Sequence, residues 1–139
     1  MAQTLKDLMT PNPLTCPATA TIKDAATQMR DCNIGDVIVT DGNEVCGIVT
    51  DRDIVVRALA DGRHPTDTKL GDICSRDLVT LSPDADVTEA VTLMREHALR
   101  RLPIVQNGKP VGIVSIGDLA VERDSDSALA DISAAPPNT

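Results

Sequence analysis

The 139-residue chain has no Phe, Tyr or Trp. Without a ring to stack on a base, it lacks the platforms by which proteins grip single-stranded nucleic acid. Any planar ligand must be held by aliphatic side chains and backbone hydrogen bonds. Positive charge is also scarce: 13 Lys and Arg stand against 21 Asp and Glu, a net charge of −8. No broad basic face is available for a phosphate backbone, so a nucleic acid partner is not expected. No apolar run approaches the roughly 20 residues of a membrane-spanning helix. The opening Met1-Ala-Gln-Thr-Leu-Lys-Asp has no basic region followed by an apolar stretch. The expectation is a soluble, cytoplasmic protein with no membrane partner.

Cysteine pairs are missing as well. Cys16, Cys32, Cys46 and Cys74 are widely spaced with no CxxC. They read as small thiols in a reducing compartment. The alternative, a zinc site built from them with His64 and His97, has no local ligand spacing behind it. Catalytic signatures are equally absent: there is no Walker loop, nucleophile elbow or HExxH sequence. No enzyme activity, no metal and no required cofactor are expected.

What the chain does contain is a duplication. Shifted by 65 residues, Leu5 to Leu59 falls on Leu70 to Asp124 without a gap, and thirteen of the 55 pairs are identical. The longest match sets Gly47-Ile48-Val49-Thr50-Asp51-Arg52-Asp53 over Gly112-Ile113-Val114-Ser115-Ile116-Gly117-Asp118. Two units of about 60 residues are each marginal alone, so mutual packing is expected to supply much of the core. A duplicated unit predicts two similar sub-folds about a pseudo-twofold axis with two related clefts, an arrangement suited to binding.

Each copy opens with a short amphipathic piece, Leu5–Met9 or Leu70–Cys74. A proline-punctuated extended segment follows, around Leu14–Pro17 or Val79–Pro83. A first helix starts near Thr21, with Asp24 at capping-box spacing and an apolar face of Ile22, Ala25, Ala26 and Met29. Its copy starts with Asp86 and Glu89 and uses Val87, Ala90, Val91 and Met94. Two strands then meet at a tight turn, Asp41-Gly42 or Asn107-Gly108, where positive φ is tolerated. Pro103 cannot donate to a ladder and belongs at a strand start or an edge. A second helix follows, Ile54–Leu59 or, more briefly, Leu119–Val121. Each unit reads β-α-β-β-α and the fold class is α+β. The predicted organisation is repeat 1 over 4–62, repeat 2 over 69–123, and a disordered Ser-, Asp-, Ala- and Pro-rich tail over 124–139.

The informative motif joins hairpin to second helix: Gly, two apolar residues, Thr or Ser, two variable residues, Asp. One reading is structural. Thr50-x-x-Asp53 and Ser115-x-x-Asp118 match a hydroxyl N-cap with an acid at the third helical position. The other reading is a ligand site. A helix start favours an anion, the hydroxyl adds a hydrogen bond, and the carboxylate can accept both hydroxyls of a ribose. The glycine would let a ligand approach the backbone.

With GIVTDRD and GIVSIGD in register, the duplicated unit resembles a pair of cystathionine β-synthase (CBS) domains, a Bateman module, over about residues 4 to 123. The resemblance extends to stand-alone CBS pairs of the actinobacterial hypoxia-response type. It implies a regulatory module with an adenosine-type ligand between the repeats, AMP, ADP or ATP in kind. On that likeness Asp53 and Asp118 hold ribose, and Thr50 and Ser115 contact ribose or phosphate. The backbone around Thr15 and Thr80 meets adenine, and Val37-Ile38 and Leu102-Pro103 form apolar walls. Basic residues ahead of the second strand, Arg100 and Arg101, reach the phosphate. Repeat 1 has Gly35-Asp36 in those places, which suits an uncharged or cationic tail. The expectation is that Arg101 joins Thr50 and Asp53 in the better nucleotide site; the plain alternative makes Arg100 and Arg101 solvated surface charges. Arg52 reaches a phosphate or pairs with Asp51. A homodimer is expected through apolar Ile54, Val55, Val56 and Leu59, with an unknown protein partner. The competing reading keeps that dimer but leaves the clefts vestigial, as an interaction or stress protein.

Overall fold

The computed structural model describes residues 4–74 and 78–123, and the tail expected at 124–139 lies outside them. Helices and strands alternate in an α+β fold. Two compact units form, one of Leu14–Leu78 and the other of Met1–Pro13 with Val79–Thr139. They differ from the sequence repeats by an exchange of the leading segment. Helix α1 (Leu5–Leu8), from repeat 1, packs in the unit of repeat 2, and α4 (Leu70–Ile73), from repeat 2, packs in that of repeat 1.

The two exchanges use the same backbone bonds. The Leu5 N–H donates to Ala85 O (3.0 Å) and the Lys6 N–H to Pro83 O (2.9 Å). In the other unit the Leu70 N–H donates to Ala20 O (2.8 Å) and the Gly71 N–H to Ala18 O (3.0 Å). α1 places Leu5 in the core of its host unit, and α4 places Leu70 and Ile73 in the core of the other.

The first unit's sheet has the order β2–β3–β4, with β2 (Thr15–Pro17) parallel to β3 (Asp36–Asp41) and β3 antiparallel to β4 (Glu44–Thr50). Helix α2 (Ile22–Cys32) begins at Thr21, whose hydroxyl and Asp24 form the expected capping box. It buries Ile22, Ala25 and Met29, whereas Ala26 is exposed at the edge of the stripe. The helix ends on Asn33 in the left-handed region, φ 56°.

The other sheet has the order β1–β6–β5, from β1 (Thr10–Pro11), β5 (Arg101–Gln106) and β6 (Lys109–Ser115). Helix α5 (Val87–His97) starts on Asp86, which accepts from the Thr88 N–H, and buries Val87, Ala90 and Met94. It stops on Ala98 at φ 52°, a conformation that costs an alanine more than a glycine. Pro103 lies within β5, an edge strand, and its carbonyl accepts from the Leu81 N–H (3.3 Å).

Both hairpins carry a bulge at the same place. Val39 pairs Gly47 and Thr40 pairs Val45, so Cys46 is the extra residue; Val111 takes that role in the second copy. The first turn sits one residue later than its sequence suggests. Asp41 still pairs Glu44, so the loop is Gly42-Asn43, with Gly42 at φ 65°. The second loop is Asn107-Gly108 as expected, at φ 54° and 81°.

The second helices differ. α6 (Ile116–Arg123) is an ordinary α-helix. Its counterpart begins as one turn, α3 (Asp51–Asp53), then widens into a π-helical segment over Ile54–Leu59. The Ala60 N–H reaches back five residues to Val55 O (2.9 Å). Such segments are rare and cluster at functional sites.

Candidate functional site: two hydroxyl–carboxylate helix starts

In both hairpins the residues alternate between a core face and an opposite face. Val37, Val39 and Val49 belong to one core, and Leu102, Ile104 and Val114 to the other. By that alternation Asp36, Ile38, Ile48 and Thr50 share the opposite face of the first sheet. Arg101, Pro103, Ile113 and Ser115 share the equivalent face of the second. Strand register sets Asp36 opposite Thr50 and Arg101 opposite Ser115.

This separates the expected wall residues. Val37 and Leu102 are fully buried within the two cores, because they are in step with the helix-facing side chains. Their side chains belong to the two cores. Ile38 and Pro103 lie on the motif face, and both are also buried. Thr15 is exposed on edge strand β2, where it pairs with Ile38. The Leu14 carbonyl is already occupied by the Ile38 N–H (2.9 Å). Thr80 is half-buried beside Leu81, which bridges to Ile104. Arg100 is exposed, and Arg101 is half-buried at the start of β5.

The two motif acids both form complete capping boxes. Thr50 Oγ1 accepts from the Asp53 N–H (3.1 Å), and Asp53 Oδ2 accepts from the Thr50 N–H (2.9 Å). Ser115 Oγ accepts from the Asp118 N–H (3.1 Å), and Asp118 Oδ2 accepts from the Ser115 N–H (2.8 Å). The structural reading of the motif is therefore realised in both copies. A carboxylate offers about four lone-pair sites, so each box leaves Oδ1 and part of Oδ2 for another donor. A ribose would have to share the acid with its helix cap.

In the second copy the motif glycine is tightly packed. A Cβ on Gly112 would meet the Met9 side chain, with Met9 Cγ at 2.8 Å and Cβ at 3.1 Å. At Gly112 the lack of a side chain makes room for Met9 beside β1. Gly35 similarly makes room for Asp51, whose Oδ2 would lie 3.0 Å from a Cβ there. Asp51 Oδ1 accepts from the Arg52 N–H (2.8 Å).

One residue of this site has no place in the sequence reading. Arg57 Nε lies 3.7 Å from Asp53 Oδ1, and Arg57 Nη1 donates to the Ile73 carbonyl (3.4 Å). The i,i+4 spacing of Asp and Arg was the available signal. Among the described residues, no cluster of three His, Cys, Asp or Glu could hold a metal ion. No helix among them is long and apolar enough to cross a membrane.

Comparison with known proteins decides the family. The model of the CBS domain matches residues 5–59 and again residues 70–124. The chain belongs to the CBS-domain family. This CBS pair is 40% identical over 133 residues to the CBS domain-containing protein YhcV of Bacillus subtilis, covering 93% of this chain and 94% of that one. It is 32% identical over 118 residues to Hypoxic response protein 1 of Mycobacterium tuberculosis, covering 84% and 82%. The crystal structure of Hypoxic Response Protein I with two coordinated zinc ions superposes with a TM-score of 0.78 at 31% identity, over 85% of this chain and 97% of that one. The hexameric CBS-CP12 protein of bloom-forming cyanobacteria gives 0.78 at 28% identity, over 89% and 74%. CBS pairs are regulatory modules.

Proposed function

We propose that this CBS pair is a regulatory module that takes an adenosine-type small molecule, of the AMP, ADP or ATP kind, at its two hydroxyl–carboxylate helix starts. The observation that carries the reading is the repetition of one polar arrangement on the face opposite each core, Thr50 with Asp53 and Ser115 with Asp118. Each carboxylate keeps acceptor capacity outside its capping box, which suits the paired hydroxyls of a ribose. In place of the expected grouping of Arg101 with Thr50 and Asp53, this reading puts the phosphate by Arg101 and its register partner Ser115, whereas Asp36 opposite Thr50 favours an uncharged or cationic tail. No cofactor is required by this reading; the nucleotide is a signal. Its test is titration calorimetry with adenosine, AMP, ADP and ATP, and absence of heat with all four at millimolar concentration would reject it.

A second reading, an interaction protein acting as a dimer, is favoured by exposed apolar side chains. Val55, Val56, Leu59 and Ile116 are between 46% and 64% exposed. An apolar groove of about 330 Å³ lies between α5 and α6, lined by Val91, Met94, Leu99, Ile116 and Leu119. Self-association through such surfaces fits either reading. Light scattering at micromolar concentration would show a mass of at least a dimer, and a monomer would reject it.

A further inference from the structure

Among the described residues the two motif acids are not in the same state, and the sequence differs four residues downstream of each. Asp53 has Arg57 at that spacing and Asp118 has Glu122. Both oxygens of Asp53 are engaged, Oδ2 by the Thr50 N–H and Oδ1 by the guanidinium of Arg57. The Asp53 side chain is only 17% exposed, so little of it is left for a ligand while Arg57 stands beside Oδ1. For Asp118, Oδ2 caps Ser115 and Oδ1 has no partner among the described residues. A glutamate at 122 cannot supply one.

We propose that Arg57 is a resident competitor for the ligand at Asp53, so that the Asp118 site fills first and the Asp53 site fills only as Arg57 moves away. This rests on the adenosine reading above. A ribose hydroxyl would donate to the oxygen that Arg57 faces across its 3.7 Å ion pair, so both groups claim Asp53 Oδ1.

The structure also provides a place for the displaced side chain. Arg57 lines a polar pocket of about 230 Å³ with Asp61, Arg63, Asp72, Ile73 and Cys74. Asp61 and Asp72 offer carboxylates there, and the Ile73 carbonyl already holds one end of the guanidinium. Arg57 therefore has two alternatives within one unit, Asp53 or the pocket acids. The π-helical segment that carries it is followed by Gly62 at φ 75°. Ligand at Asp53 would shift Arg57 toward the pocket and change how the π-helical segment holds α4. That is a two-state element biased by occupancy, which is what a regulatory module needs.

The test is titration of the full chain with adenosine, whose neutrality removes phosphate electrostatics. The wild type should show a tighter and a weaker event. Asp118→Ala should remove the tighter one. Arg57→Gln should strengthen the weaker event about two- to fivefold, the range expected for releasing a partly exposed ion pair, and leave the tighter one unchanged. Weaker or unchanged binding in Arg57→Gln, with both events still present, would overturn the proposal while leaving the adenosine reading in place. Two events lost in neither Asp53→Ala nor Asp118→Ala would overturn both.

Discussion

Replacing Gly112 by alanine should damage this fold more than the same change at Gly35. The new Cβ at 112 would sit 2.8 Å from Met9 Cγ and 3.1 Å from Met9 Cβ. Rotating the Met9 side chain can move Cγ but not Cβ, which the backbone holds in place. The Met9 N–H closes α1 on Leu5 O (2.8 Å), and the next two residues pair with Ile113 and Gly112. The clash must then be relieved by shifting β1 or by repacking α1. Overpacking of this kind costs about 1–3 kcal/mol. For a chain of this size that corresponds to roughly 3–10 °C in melting temperature. At Gly35 the nearest atom is the tip of the Asp51 side chain (3.0 Å), which can rotate, so Gly35→Ala should cost about 1 kcal/mol or less. Differential scanning calorimetry reads both. Combining Gly112→Ala with Met9→Ala should recover at least about 1 kcal/mol relative to the sum of the single changes. A Gly112→Ala melt within a degree of wild type, or additive effects with Met9→Ala, would refute the argument that Gly112 is small to seat Met9.

Three further outcomes follow from local structure. Burial, with Asp24 adding to it and a Gln28 hydrogen bond opposing it, raises the Cys16 thiol above its usual 9.0. The folded form thus resists ionisation more than the unfolded chain. That contribution to stability is complete below about pH 9 and is lost as pH rises further, so Cys16→Ala should flatten the alkaline fall in a pH series of melts. Ala98→Gly should stabilise by about 0.5–1 kcal/mol, because Ala98 closes α5 at φ 52°, and an unchanged denaturant midpoint would reject this. Arg101→Ala should weaken AMP binding by roughly tenfold and leave adenosine nearly unchanged in parallel titrations, and equal losses would remove Arg101 from the phosphate site.

Much of this architecture is legible in the residues. The 65-residue offset locates both hairpins and both helix pairs because Gly47 to Asp53 and Gly112 to Asp118 carry the strongest local constraints, a bulge, a buried strand and a cap. The exchange of α1 and α4 is not legible, since Leu5 and Leu70 would fill either core equally well and no turn residue records which one they choose. The turn at Gly42-Asn43 was displaced because Asp-Gly and Gly-Asn are both acceptable loops, and the bulge at Cys46, not the turn dipeptide, fixes the register. At the site, alternation alone places Val37 and Leu102 on the core side of their strands. The π-helical widening after Asp53 has no local signature in Ile54–Leu59, and with it went the reach of Arg57 to both Asp53 and Ile73.

The most direct measurement is the calorimetric unfolding of the wild type and of Asp53→Ala/Asp118→Ala, with and without millimolar adenosine, AMP, ADP and ATP. Fluorescence offers no substitute in a chain without Trp or Tyr. The double variant should lose about 1–2 kcal/mol per cap on its own. A ligand at 100 times its dissociation constant should stabilise the wild type by about 2.7 kcal/mol and the double variant by nothing measurable. An equal ligand shift in both proteins would contradict the assignment of ribose to these two acids, as would no shift in either.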